Sequence, residues 1–163
     1  MVSISAIPIA IDFNEFIIQG EEISFETRLE KIETKAARAL RQIVEARSLA
    51  GLTIETKAHI SEFIAAQSFR TEAFYKGFEG NPSREEFGVI VAELWRAAFL
   101  VAHEVRSRRW ALMEICNDLV FYLGDHPIVL QFTEEPGNGK QLGFDIRGVE
   151  AYMPLSPKHA LYI

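Results

Sequence analysis

Residues 101–116 read VAHEVRSRRWALMEIC. Up to Ser107 the apolar residues return every three or four positions, the period of one helix face. From Arg109 to Cys116 they run together and favour strand-formers, with no helical period. A second such run, Leu119 to Leu123, follows Asn117-Asp118, a pair that suits a two-residue hairpin turn. The change at Arg109 decides the fold class. Helices come before it and strands after it, an order that predicts an α+β fold with a C-terminal antiparallel sheet.

Upstream, three helices are expected, over about residues 24–50, 53–79 and 83–107. Ser24 is the N-cap of the first. Phe25, Leu29, Ile32, Ala36, Leu40 and Ile43 form its apolar stripe, and Gly51 is expected to end it in the left-handed conformation. Thr53 caps the second helix, whose inner face carries Ile60, Phe63, Ile64, Gln67 and Phe74 before Gly77 and Gly80 stop it. Asn81-Pro82-Ser83 restarts the chain, with Ser83 and Glu86 spaced as a capping box. The third helix buries Phe87, Ile90, Val91, Leu94, Trp95, Ala98 and Val101, and Arg106, Arg108 and Arg109 crowd its negative pole. Ahead of all three, Ile7, Ile9, Ile11 and Phe13 alternate with polar or small residues. They predict an N-terminal edge strand, because Pro8 cannot donate a ladder hydrogen bond; Gly20 and Glu21 end it.

Downstream, Ile128–Phe132, Val149–Pro154 and Ala160–Ile163 read as strands. Pro136, Gly137, Asn138 and Gly139 make 134–143 a loop. The 163 residues fit one globular domain over 1–163, with a helical part at 24–107 and a mainly β part at 108–163. The pentapeptide at 32–36 recurs at 54–58, but the likeness goes no further, so no repeat is inferred.

Composition narrows function. A net charge of −6 disfavours a globally basic nucleic-acid binder, which concentrates Lys and Arg against phosphate. Cys116 is the only cysteine, so no intrachain disulfide and no zinc ribbon can form, as suits a reducing cytoplasm. In an apolar run beside a turn it reads as a buried, inert thiol. Met1–Ile18 lacks the basic start of a secretory signal, since the first basic residue is Arg28. No apolar stretch reaches the ~20 residues of a membrane span.

Few residues can carry chemistry. Gly124-Asp125-His126-Pro127 is a polar corner between two expected strands. Asp125 and His126 there could hold a metal or act as an acid–base pair; an Asx turn is the alternative. His103-Glu104 opens like a helical zinc-protease motif, but Ser107 stands where the second histidine is needed. Glu33/Lys35 and Glu55/Lys57 lie on helices with no aspartate at a strand end before them, so local spacing supports no restriction-type nuclease. Gly137-Asn138-Gly139-Lys140 lacks the full phosphate-loop pattern. His59 and His159 have no visible partners. Gln67 and Arg70 sit one turn apart and could order a loop or hold an anion. On the first helix, Arg28, Lys31, Lys35, Arg38 and Arg41 form a basic stripe that could dock an acidic partner; a solvated face is the alternative. Glu26, Glu30, Glu33 and Glu45 neighbour it.

Four stretches, taken in order, resemble an uncharacterised family of bacteria and their viruses, the domain of unknown function four-two-three-eight. They are Leu29–Ala37 (LEKIETKAA), Phe63–Thr71 (FIAAQSFRT), Phe121–Val129 around Gly124-Asp125-His126-Pro127, and Pro154-Leu155-Ser156-Pro157. The likeness spans about residues 26–163. The family shows Ser-Asp-Asn-Pro where this chain has Gly124-Asp125-His126-Pro127, so Asp125 and Pro127 match while Gly124 and His126 do not. It also shows a His-x-x-Pro motif ahead of the matched region, which this chain lacks before Ser24. The resemblance implies a shortened, non-catalytic member or a fragment of a longer one, and brings no activity with it.

The reading is a cytoplasmic α+β protein of bacterial or phage origin that binds another macromolecule, a protein before a nucleic acid. It invokes no cofactor, no metal and no membrane. The competing reading is a metal-dependent hydrolase or nuclease-like toxin. There Asp125 is the essential carboxylate, with His126, Gln67 and Arg70 as ligand, positioning group or anion binder in one pocket.

Overall fold

The computed structural model describes residues 15–18, 20–24, 26–69, 84–122, 124, 127–134 and 142–163. Among them are β1 (Glu15–Ile18), β2 (Glu21–Ser24), α1 (Glu26–Ala46), α2 (Ile54–Phe69), α3 (Arg84–Ser107), β3 (Ala111–Glu114), β4 (Val129–Phe132), β5 (Val149–Pro154) and β6 (His159–Tyr162). The expected strand at Ile7–Phe13, the end of the second helix after Phe69, and Ser83 of the capping box lie outside the described residues.

The caps explain where two helices begin. Ser24 Oγ accepts the Glu26 N–H at 3.3 Å, and Thr53 Oγ1 accepts the Thr56 N–H at 3.1 Å. Each satisfies a donor with no partner inside its own helix. The end of α1 differs from the sequence reading. The helix stops at Ala46 and Arg47, not Gly51, takes the left-handed conformation, at φ 48°. Ser48 makes the stop workable: its N–H reaches Ile43 O, and its Oγ accepts the Ala50 N–H at 3.0 Å.

α2 lies between α1 and α3 and packs on both. Its Ile60 and Ile64 are wholly buried against Ala39 and Ile43 of α1, Val105 of α3, and Ala151, Met153, Leu161 and Ile163 of the sheet region. On another side, Ala65 meets Ala98 and Ala102 of α3; small residues let these two helices approach closely.

The sheet runs β3-β6-β5-β4, antiparallel throughout. β5 shows the two-residue period directly. Val149, Ala151 and Met153 face the helices, while Glu150 and Tyr152 face away.

Two local pairings depart from the sequence reading. The runs on either side of Asn117-Asp118 do not form a hairpin. β3 pairs instead with β6, setting Leu112 opposite Leu161, while Leu119 and Val120 stay exposed. That pairing turns Leu112 onto the core. Asn117 makes an Asx turn, its Oδ1 accepting the Leu119 N–H at 3.0 Å. At the other end of the chain, Gly20 does not merely break a strand. At φ 82° it occupies the turn of a β1–β2 hairpin, a conformation glycine adopts without steric cost.

Candidate functional site

Arg28, Lys31, Lys35, Arg38 and Arg41 are all exposed, while Leu29, Ala36, Ala39 and Ile43 of the same helix are buried. By helical spacing, Arg28 and Lys35 share an edge of α1, and Glu26, Glu30 and Glu33 share the far edge. These three carboxylates are therefore segregated from Arg28 and Lys35, whereas Glu45 falls on the side of Lys31, Arg38 and Arg41.

That basic edge borders a groove over α2. Arg28, Ile32, Glu62, Trp95 and Phe99 line a depression of about 110 Å³. It continues past Phe99 and Ala102 into one of about 210 Å³ that adds Ala58, His103 and Arg106. The Arg28 guanidinium stands 5.1 Å from the ring centroids of both Trp95 and Phe99. A cation over aromatic faces is attracted by their quadrupoles, which fixes the arginine at the groove's edge. Trp95 was expected in the core and is half-buried; Phe99, outside the apolar stripe, is 54% exposed. Sequence reasoning missed this groove. Its one signal was Phe99, a large aromatic beside the stripe and not on it.

A second concavity, of about 440 Å³, lies at the open end of the sheet. Val120, Phe121 and Tyr122 form one wall and Pro154-Leu155-Ser156-Pro157 the other. The Phe121 N–H donates to Pro157 O at 2.9 Å, and Lys158 Nζ donates to the carbonyls of Asn117 and Leu119. Two of the four stretches that carry the resemblance thus meet across one cleft. Beside it, His159 is buried at 6% exposure. Its Nδ1 is 2.9 Å from Ser156 Oγ, and its Nε2, which has no hydrogen bond, is 3.7 Å from Glu114 Oε1. His159 therefore has partners that spacing did not reveal.

On the sheet face turned away from the helices, Tyr152 and Tyr162 each donate a hydroxyl to Glu150, at 2.7 and 2.6 Å. Donation from Tyr152, then Tyr162, holds the Glu150 carboxyl below its ordinary value of 4.5. The same bonds raise both phenols above 10.0, since losing the proton would set phenolate against carboxylate.

Cys116 is exposed, contrary to the sequence reading, because it follows the end of an edge strand that is itself largely exposed. Arg108 is not simply a charge at a helix pole. Its guanidinium donates to the carbonyls of Val149, Phe144 and Ile146, tying the end of α3 to the sheet. Lys57 is a comparable strut, donating to Arg108 O at 2.7 Å, and burial lowers its pKa. Gln67 is half-buried on α2. Arg70, Asp125 and His126, its expected companions, lie outside the described residues. Among the described residues no group of three His, Cys, Asp or Glu side chains could hold a metal ion, and no helix is long and apolar enough to cross a membrane.

A family model described as "Protein of unknown function (DUF4238)" matches residues 2–93 and 95–163. The match reaches ahead of the 26–163 span over which the motifs carry the likeness. No curated protein and no solved structure matches the chain.

Proposed function

We propose, from the premise that this chain belongs to the DUF4238 family of proteins of unknown function, that it works by docking another protein. The partner presents an acidic amphipathic helix to the groove over α2. The observation that carries this reading is the joining of two chemistries at Arg28. Behind it lie Ile32, Trp95 and Phe99, an apolar and aromatic floor. Along its helix run Lys31, Lys35, Arg38 and Arg41, all exposed. An amphipathic helix offers the complement, apolar anchors on one face and carboxylates beside them. A nucleic acid is the weaker fit, since the chain's net charge is −6 and a phosphate backbone offers no apolar anchors for the floor of Ile32, Trp95 and Phe99. The reading includes a cytoplasmic setting, supported by a single cysteine left free and exposed, and a bacterial or phage origin.

The test is fluorescence anisotropy with a labelled acidic amphipathic peptide and its charge-reversed counterpart. The acidic peptide should bind more tightly, and salt should weaken it by screening the exposed charges. Changing Lys31→Glu and Lys35→Glu together should weaken binding roughly tenfold, since two exposed charges of the stripe at about 0.7 kcal/mol each make one decade. Equal affinity for both peptides, or indifference to the double reversal, refutes the proposal.

A further inference from the structure

We propose that Ser156, His159 and Glu114 form a hydrolytic site for small esters of apolar acids, bound in the cleft between Phe121-Tyr122 and Pro154–Pro157. This is independent of the groove over α2. Three observations carry it. Ser156 lines an apolar cleft of about 440 Å³, room for a short acyl chain. Its Oγ lies 2.9 Å from Nδ1 of a histidine, the reach a nucleophile needs to its base. The other ring nitrogen of that histidine is buried with no hydrogen bond and faces the Glu114 carboxylate at 3.7 Å.

The Ser156 hydroxyl also accepts the N–H groups of Lys158 and His159, at 3.3 and 3.1 Å. Those bonds staple the turn between β5 and β6. A staple alone does not account for the imidazole. A buried polar atom without a partner costs free energy, and each such case calls for a reason. Catalysis supplies one. With its proton on Nε2, His159 can receive the Ser156 proton at Nδ1, and the imidazolium that forms is stabilised by Glu114. The two backbone N–H groups favour the negative charge growing on Oγ. Among the described residues, two other charged groups stand beside Glu114 and the Ser156 turn. Arg47 is 3.9 Å from Glu114, and Lys158 Nζ is committed to two carbonyls.

The chemistry balances. Ser156 Oγ bonds to the ester carbonyl carbon as its proton passes to His159. The ester C–O bond breaks, and the leaving alcohol takes that proton. Water then attacks the acyl carbonyl carbon and gives a proton to His159; the C–Oγ bond breaks, His159 returns that proton to Oγ, and the acid leaves.

The full chain is incubated with p-nitrophenyl butyrate and, separately, with a fluorophosphonate followed by intact-mass measurement. The expected results are turnover above buffer, one covalent adduct located at Ser156, and loss of both in Ser156→Ala. Glu114 is half-exposed, so Glu114→Gln should keep the fold by circular dichroism. It should slow turnover at least tenfold and move the acid limb of the pH–rate profile to lower pH, which a purely structural role would not do. Absence of adduct and turnover in the folded wild type, or Ser156→Ala retaining wild-type turnover, overturns the proposal. So does an unmoved pH profile in Glu114→Gln.

Discussion

Arg108 allows a quantitative test of how the helices are joined to the sheet. Replacing it with alanine removes donors to the carbonyls of Val149, Phe144 and Ile146 at once. A hydrogen bond from a charged donor contributes about 1.5–3 kcal/mol. The third contact, to Ile146 at 3.4 Å, is long, and the side chain is half-buried, so water can reach part of the gap. Counting the other two near the lower bound gives a loss of about 3 kcal/mol. For a chain of this size that lowers Tm by roughly 6–12 °C. Arg109→Ala is the control. It removes an exposed cation next in sequence and should cost under about 0.5 kcal/mol. Urea denaturation followed by circular dichroism measures both. If the two variants lose equal stability, Arg108 is only a charge near a helix pole and the tie to the sheet is wrong.

Three further outcomes follow from side chains already placed. Glu150 has a lowered folded pKa, so its contribution is present above 4.5 and lost as pH falls through the folded value; the stability gap between wild type and Glu150→Gln should therefore close as the pH is taken below 4.5, as read by urea melts. Cys116, being exposed, should react with dithionitrobenzoate in the folded protein nearly as fast as in denaturant. Ile64→Ala, at a fully buried site, should cost about 2–5 kcal/mol by chemical denaturation, while Thr53→Ala should cost about 1 kcal/mol through its lost cap.

What could be read from the sequence was what depends on near neighbours. Ser24 and Thr53 cap helices by reaching two or three residues along the chain. The stripe from Leu29 to Ile43 and the pair Ile60 and Ile64 mark buried faces, because helical period and burial coincide there. The order of helices and strands gave the α+β class. Strand partners were harder. β3 has apolar residues both after Asn117-Asp118 and far away in β6, and local turn chemistry favours the near choice. Leu112 decides otherwise by gaining the core beside Leu161. Arg47 in a left-handed conformation had no local mark, whereas Gly51 had the ordinary one. The sites show the same division. The basic stripe is periodic along one helix and could be read. The groove beside it joins α1, α2 and α3, and the Ser156–His159–Glu114 set joins β3 to the β5–β6 turn. Their members meet only through tertiary packing.

The docking reading is tested most directly at Trp95. The chain has two tryptophans, so Trp110→Phe leaves Trp95 as the only indole, with Arg28 held over its face. Titrating this variant with the unlabelled acidic amphipathic peptide should shift and saturate the Trp95 emission, and Arg28→Ala should weaken the response. An emission that stays flat through peptide excess, while circular dichroism shows the variant folded, would contradict docking in this groove.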